Sequence, residues 1–184
     1  KEPNSSHFVS WHQDATYMGI TPRTFVTPWI ALTHSDRHTG CMSMIPGSHL
    51  NNIQPHSDTY AKDNILTRGQ EVSNVDPSQA VDLILKPGQM SLHHAMIIHG
   101  SQPNQSQDQR RIGFALQSFM PAGAQQTIGQ NNWSPVRGNC AQEGHNYLAR
   151  PKNDMDTKST KERDKSNQNF SDILYHGAKT KRDY

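Results

Sequence analysis

Residues 10–20 read "SWHQDATYMGI". An imidazole and a carboxylate stand two apart in a run of aromatic and β-branched residues, which is strand composition. Residues two apart on a strand project from one face. His12 and Asp14 would therefore offer a nitrogen and an oxygen to a single point, with Gln13 facing away. The same spacing recurs at His34/Asp36 and His56/Asp58, but there the neighbours are Ser, Thr, Pro and Asn, among which an aspartate usually shapes a turn. Only the first pair sits in strand-like text.

Outward from that pair, residues 7–33 read as two extended runs broken at "TPR", the second being "TFVTPWIALT". "CMSMI" is a short alternating strand closed by "PGSH". Residues 50–79 form a long polar connection of the kind that is either a functional lid or simply mobile. "AVDLIL", "MSLHHAMIIHG" and "RRIGFALQSFM" read as further strands. Beyond Pro121 the alternation stops, and "KNDMDTKSTKERDKSNQ" reads as a solvated helix or tail, with "FSDILYHGA" as a terminal docking segment. Many short strands and few helical stripes predict an all-β sandwich or barrel.

The chain has 184 residues, enough for one domain with its own core. Hydrophobic residues make up 32% and mean hydropathy is −0.86, so the core must be compact and the loops long. A net charge of +2 and a pI near 8.6 give no case for a nucleic-acid groove or a membrane-binding face. No apolar run approaches the roughly 20 residues that span a bilayer. Two cysteines, Cys41 and Cys140, need no disulfide framework, and a cytoplasmic location is expected. Cys41 reads as a small buried residue.

His12 and Asp14 make a usable iron site only if a third ligand arrives, since the 2-His-1-carboxylate triad leaves one side of Fe(II) open. The candidates are His93, His94 and His99. His99 ends "AMIIH", just before Gly-Ser and a loop, where its imidazole would face a cavity mouth; His93 shares its strand parity and His94 does not. A carboxylate co-substrate would need a fixed cation, and arginine's planar fork suits it. Arg110 is in phase with Ile112, Phe114 and Leu116, whereas Arg111 is in phase with Gly113, Ala115 and Gln117. The first set is the more apolar, so Arg110 is expected to point inward.

Taken together, "WHQD", "TPWIAL", "TGCMSMIPGSH" and "HGSQPNQS…R" resemble, in order, the phytanoyl-CoA dioxygenase family of Fe(II)/2-oxoglutarate oxygenases. The resemblance covers roughly residues 8 to 120, and weakly "ILYHGA". It implies a double-stranded β-helix, that is, a cupin-like jelly roll, over residues 1–122, followed by an irregular or helical extension over 123–184. It implies that His12, Asp14 and His99 hold Fe(II), that Arg110 binds the distal carboxylate of 2-oxoglutarate, that Trp29 lines the co-substrate pocket and that Ser101 hydrogen-bonds the co-substrate. Asn104 is read as holding its loop, His49 as structural, and His93 and His94 as neighbours of the site or surface groups. The implied reaction uses O2 and 2-oxoglutarate to hydroxylate a small organic substrate, giving succinate and CO2. Asp14 at the carboxylate position argues for hydroxylation over halogenation, because related halogenases have a small residue there.

The departure from the family pattern lies before the motif: eleven residues precede His12 where family members carry a substantial segment, so an N-terminally incomplete core is expected. The competing readings are a non-catalytic cupin-like metal-binding module and an inactive fragment. The substrate and the oligomeric state are not legible, and Lys62 and Arg68 alone do not mark a CoA site.

Overall fold

Pro, Gly and Asn punctuate this chain so often that it breaks into brief strands. In the computed structural model, which describes residues 1–116, 118–138 and 145–182, they are β1 (Val9–His12), β2 (Ile20–Thr21), β3 (Val26–Ala31), β4 (Met42–Met44), β5 (His56–Asp58), β6 (Gln70–Val72) and β7 (Val81–Asp82). After them come β8 (Met90–His94), β9 (His99–Ser101), β10 (Gly113–Ala115), β11 (Gln125–Gln126), β12 (Asn132–Trp133), β13 (Asn146–Tyr147) and the helix α1 (Thr157–Leu174).

Two antiparallel sheets carry the architecture. One has the order β1-β9-β4-β7 and the other β10-β3-β8. From β7 to β10 successive strands alternate between the two sheets, and the expected all-β fold is the observed one. The sheets meet where the rings of His93 on β8 and His99 on β9 stand 5.0 Å apart. A buried cluster of Ala15, Met18, Ile20, Phe25, Ala95 and Ala124 closes the region beside them, and Phe170 of α1 packs against it. The helix begins where Asp156 accepts a hydrogen bond from the Ser159 amide at 2.9 Å, a side-chain cap on its first turn.

Three sequence expectations need correction. "MSLHHAMIIHG" is two strands in different sheets, joined by a turn in which the Ile97 amide donates to the His94 carbonyl. The parity comparison of His93 with His99 therefore does not apply, and no Gly or Pro marks the turn. The connection over 50–79 contains the β5–β6 hairpin, tied to β1 where Ser10 Oγ donates to the Gln70 carbonyl at 2.5 Å. Its Arg68 pairs with Asp58 at 2.5 Å and donates to the carbonyls of Leu174 and His176, which fastens the C-terminal segment. Finally, the strand at 110–120 has its inner and outer faces exchanged. Phe114 is 52% exposed and Ile112 39% exposed. Gly113 lies instead against the ring of Trp29, and a Cβ built there would stand 1.9 Å from Trp29 Cζ2.

Gly113 is thus required for space. Gly113→Ala should displace the Trp29 ring and destabilise the fold by about 1–3 kcal/mol, read as a lowered urea midpoint with an altered tryptophan emission maximum.

Candidate metal centre

β1 ends at His12, whose Cα partner across the sheet is His99 of β9. The chain then turns: Asp14–Thr16 is a single 3-10 turn, with the Thr16 amide donating to the Gln13 carbonyl and the Ala15 amide to the Ala95 carbonyl. Asp14 reaches the two histidines from that turn rather than from a strand face, so the convergence expected from parity is achieved by a bend. The ligand atoms of His12, Asp14 and His99 all lie within 4.8 Å of one another, and all three residues are buried.

Each histidine is oriented in the same way. The Nδ1 of His12 is 2.9 Å from the Ser10 carbonyl and that of His99 is 3.0 Å from the Ile97 carbonyl. A carbonyl only accepts, so Nδ1 carries the proton and each Nε2 keeps its lone pair. Asp14 Oδ1 stands 3.3 Å from His12 Nε2 and 3.8 Å from His99 Nε2. Tyr17 donates its hydroxyl to the same Oδ1 at 2.8 Å, and Thr27 donates to Oδ2 at 3.2 Å.

The electrostatics suit a cation. Burial alone would raise the Asp14 carboxyl, but the facing His99 and His12 and the hydrogen bond from Tyr17 outweigh it and hold it well below the usual carboxylate range. Burial, reinforced by His12, pushes His99 down to about 3 against the opposing pull of Asp14. A carboxylate beside neutral imidazoles with lone pairs aimed inward fits Fe(II), which takes two histidines and one carboxylate on one face.

Gln13 is fully buried. Its Nε2 donates to the Met96 carbonyl at 2.7 Å and its Oε1 accepts from the Gln54 amide at 2.8 Å. The middle residue of the motif thus clamps the long connection and the β8–β9 turn around the site. His93 comes to the triad's edge, with Nε2 4.0 Å from Asp14 Oδ2. His94 is turned away, its Nδ1 accepting from the Met96 amide and its ring 5.5 Å from that of His49. Of the other His-x-Asp pairs, Asp36 caps a turn by accepting from the Thr39 amide, and Asp58 pairs with Arg68.

Of the two adjacent arginines, the one that faces inward is not the one expected. Arg110 points outward, exposed and paired with Glu2 at 2.8 Å. Arg111 is the inward arginine: its guanidinium lies 5.4 Å over the ring of Trp29 and its Nε is buried without a hydrogen-bond partner. The reason is the space above Gly113, on the same face as Arg111, which admits the Trp29 ring. Burial lowers the Arg111 pKa. Ser101 is buried on β9, where its Oγ accepts a 2.8 Å hydrogen bond from Lys1 Nζ. Burial and the neighbouring Arg111 bring Lys1 down to about 7. Asn104 ties its loop, donating to the Gln109 carbonyl and accepting from the Ser106 amide. Cys41 is buried, and Cys140 lies outside the described residues. Sequence reasoning missed Tyr17, Thr27, Lys1 and Arg111; the glycine two after Arg111 was the available signal for the last.

The phytanoyl-CoA dioxygenase family model matches residues 1–112, a stretch that contains the whole triad and Arg111. The chain belongs to the phytanoyl-CoA dioxygenase family. A probable alpha-ketoglutarate-dependent hypophosphite dioxygenase of Stutzerimonas stutzeri is 31% identical over 134 residues, 72% of this chain and 46% of that protein. The peroxisomal phytanoyl-CoA dioxygenase of Bos taurus is 32% identical over 116 residues, 60% of this chain and 34% of that one. The chain thus spans less than half the length of these curated relatives. Among solved structures, the apo non-heme monooxygenase ThoJ superposes over 95% of this chain and 64% of its own, with a TM-score of 0.79 and 29% identity. EvdO2 from Micromonospora carbonacea, solved with 2-oxoglutarate, is 32% identical over 62% of this chain and 46% of its own, with a TM-score of 0.54.

A family site of this kind should resist acid poorly. Folded His99 takes its proton only near pH 3, whereas an unfolded histidine takes it near pH 6.5. The unfolded chain therefore binds more protons between those values, and His99 makes stability rise with pH across that window. The metal-free protein should melt at a lower temperature at pH 5 than at pH 7, with a shallower slope in His99→Gln, as calorimetry would measure.

Proposed function

We propose that this chain is the oxygenase core of an Fe(II)- and 2-oxoglutarate-dependent dioxygenase that hydroxylates a small organic substrate. The observation that carries the reading is the convergence of two tautomer-locked imidazoles and one carboxylate, together with an inward arginine whose Nε is buried without a partner. Bound iron, with 2-oxoglutarate and O2, would supply the oxidation, one oxygen going to the substrate and the other to succinate as CO2 leaves.

The chain's own part is to bind, orient and exclude water. His12, Asp14 and His99 would hold the metal on one face and leave the opposite face to co-substrate and O2. Tyr17 and Thr27 hold both oxygens of Asp14, so the carboxylate is positioned before metal arrives. Arg111, in place of Arg110, would take the distal carboxylate of 2-oxoglutarate, with the Trp29 ring as the pocket wall. The burial of all three ligands keeps bulk water from the reacting atoms. Residues 1–122 form the catalytic core in this reading and 123–184 an extension packed on it. A buried free thiol at Cys41 suits a reducing compartment, the cytoplasm in our reading. Among the described residues no helix is long and apolar enough to cross a membrane.

The decisive experiment is an anaerobic titration with Fe(II) and 2-oxoglutarate, following the weak visible charge-transfer band of the chelate. His99→Ala and Asp14→Ala should each abolish the band. Arg111→Leu should weaken 2-oxoglutarate roughly ten- to hundredfold, the worth of a hydrogen-bonded charge, and Arg110→Ala should leave it unchanged. Metal retention in folded protein with no affinity for 2-oxoglutarate would instead establish a binding module.

A further inference from the structure

The histidines around the centre differ in what holds them. His12 and His99 each tie Nδ1 to a carbonyl two residues upstream, and His94 accepts from a backbone amide. His93 does neither. It is 4% exposed, its Nδ1 is buried without a partner, and its Nε2 stands 4.0 Å from Asp14 Oδ2, beyond hydrogen-bond distance. It lacks the Nδ1 anchor of the two triad imidazoles, and its Nε2 lies outside their cluster.

Two residues earlier on the same face of β8, Ser91 Oγ is also buried without a partner. Arg111 Nε is a third such atom. Strand register places them relative to one another. His93 pairs with Thr27, whose hydroxyl reaches Asp14, so it stands level with the triad. Ser91 pairs with Trp29, one step of about 7 Å along the strand, where the Arg111 guanidinium lies over the indole. A buried polar group left unpaired is costly, and here three of them share one inward face, graded from the triad to the inward arginine. An imidazole has at least one N–H to donate in either protonation state, and Ser91 has one O–H.

We propose that Ser91 and His93 are co-substrate-binding residues on β8, His93 hydrogen-bonding the carboxylate of 2-oxoglutarate nearest the triad and Ser91 the far carboxylate beside Arg111. This rests on the oxygenase reading. A five-carbon diacid has acceptors at both ends and a hydrocarbon middle, which matches donors at the two levels.

The test uses the full chain with Mn(II), which supports binding without turnover, and combines 2-oxoglutarate calorimetry with thermal melts of ligand-free protein. Ser91→Ala and His93→Phe should each weaken 2-oxoglutarate about five- to twentyfold, with Mn(II) affinity unchanged. Each should also raise the ligand-free melting temperature, because an unpaired buried group has been removed. His93→Gln, which restores a donor, should recover part of the affinity. If Arg111→Leu loses affinity while Ser91→Ala and His93→Phe bind like the wild type, the inference is overturned and the oxygenase reading stands. If all three bind like the wild type, the inference is likewise overturned; if the folded wild type itself has no affinity for 2-oxoglutarate, the oxygenase reading fails with it. A loss of affinity matched by a lower melting temperature in both β8 variants would make the two residues structural and likewise overturn the inference.

Discussion

The pairing of β1 with β9 is the constraint on which the rest depends. It sets His12 directly opposite His99, in a ladder whose geometry is fixed by main-chain hydrogen bonds rather than by the side chains themselves. Two imidazoles a few ångströms apart in a dry interior are an unfavourable arrangement unless both stay neutral, and burial ensures that for His99. Asp14 then has a reason to be where it is. It accepts from Tyr17 at the end of its own turn and from Thr27 on the opposing sheet, and those hydrogen bonds compensate the burial of its charge.

The opening motif made the fold class and the triad legible, because both depend on local spacing and on the order of short motifs along the chain. His12 and Asp14 could be paired from their separation alone. His99 could be favoured from the loop that follows it. The arginine could not be assigned in this way. Strand parity names two opposite faces but not which is inside, and the apolar look of Ile112 and Phe114 pointed the wrong way. Those residues lie on an outward face that also bears Met90 and Leu92. The decisive fact was steric: an indole from β3 occupies the space above Gly113, a contact between residues more than eighty apart in sequence.

Other losses have the same origin. The β8–β9 turn contains no Gly or Pro and is made by a histidine carbonyl and two amides, so it leaves no compositional trace. Asp14 looked like a strand residue because the run around it has strand composition, although it lies in a 3-10 turn. The hairpin inside the polar connection is held by Ser10, Asn64 and Arg68, polar residues with bonding partners far away in sequence. Polar side chains carry much of the tertiary structure in this lean chain, and their pairing is not periodic.

Gln13 has a consequence for how the protein moves. Its amide spans the long connection and the β8–β9 turn while its flanking residues are the proposed metal ligands. Ordering of the connection and closure of the metal site are therefore one equilibrium viewed from two ends. Whatever tightens the grip on a cation favours the tethered 50–79 segment, and whatever holds that segment favours the grip by the same free energy. A residue that touches neither metal nor substrate would then couple the affinities for the two.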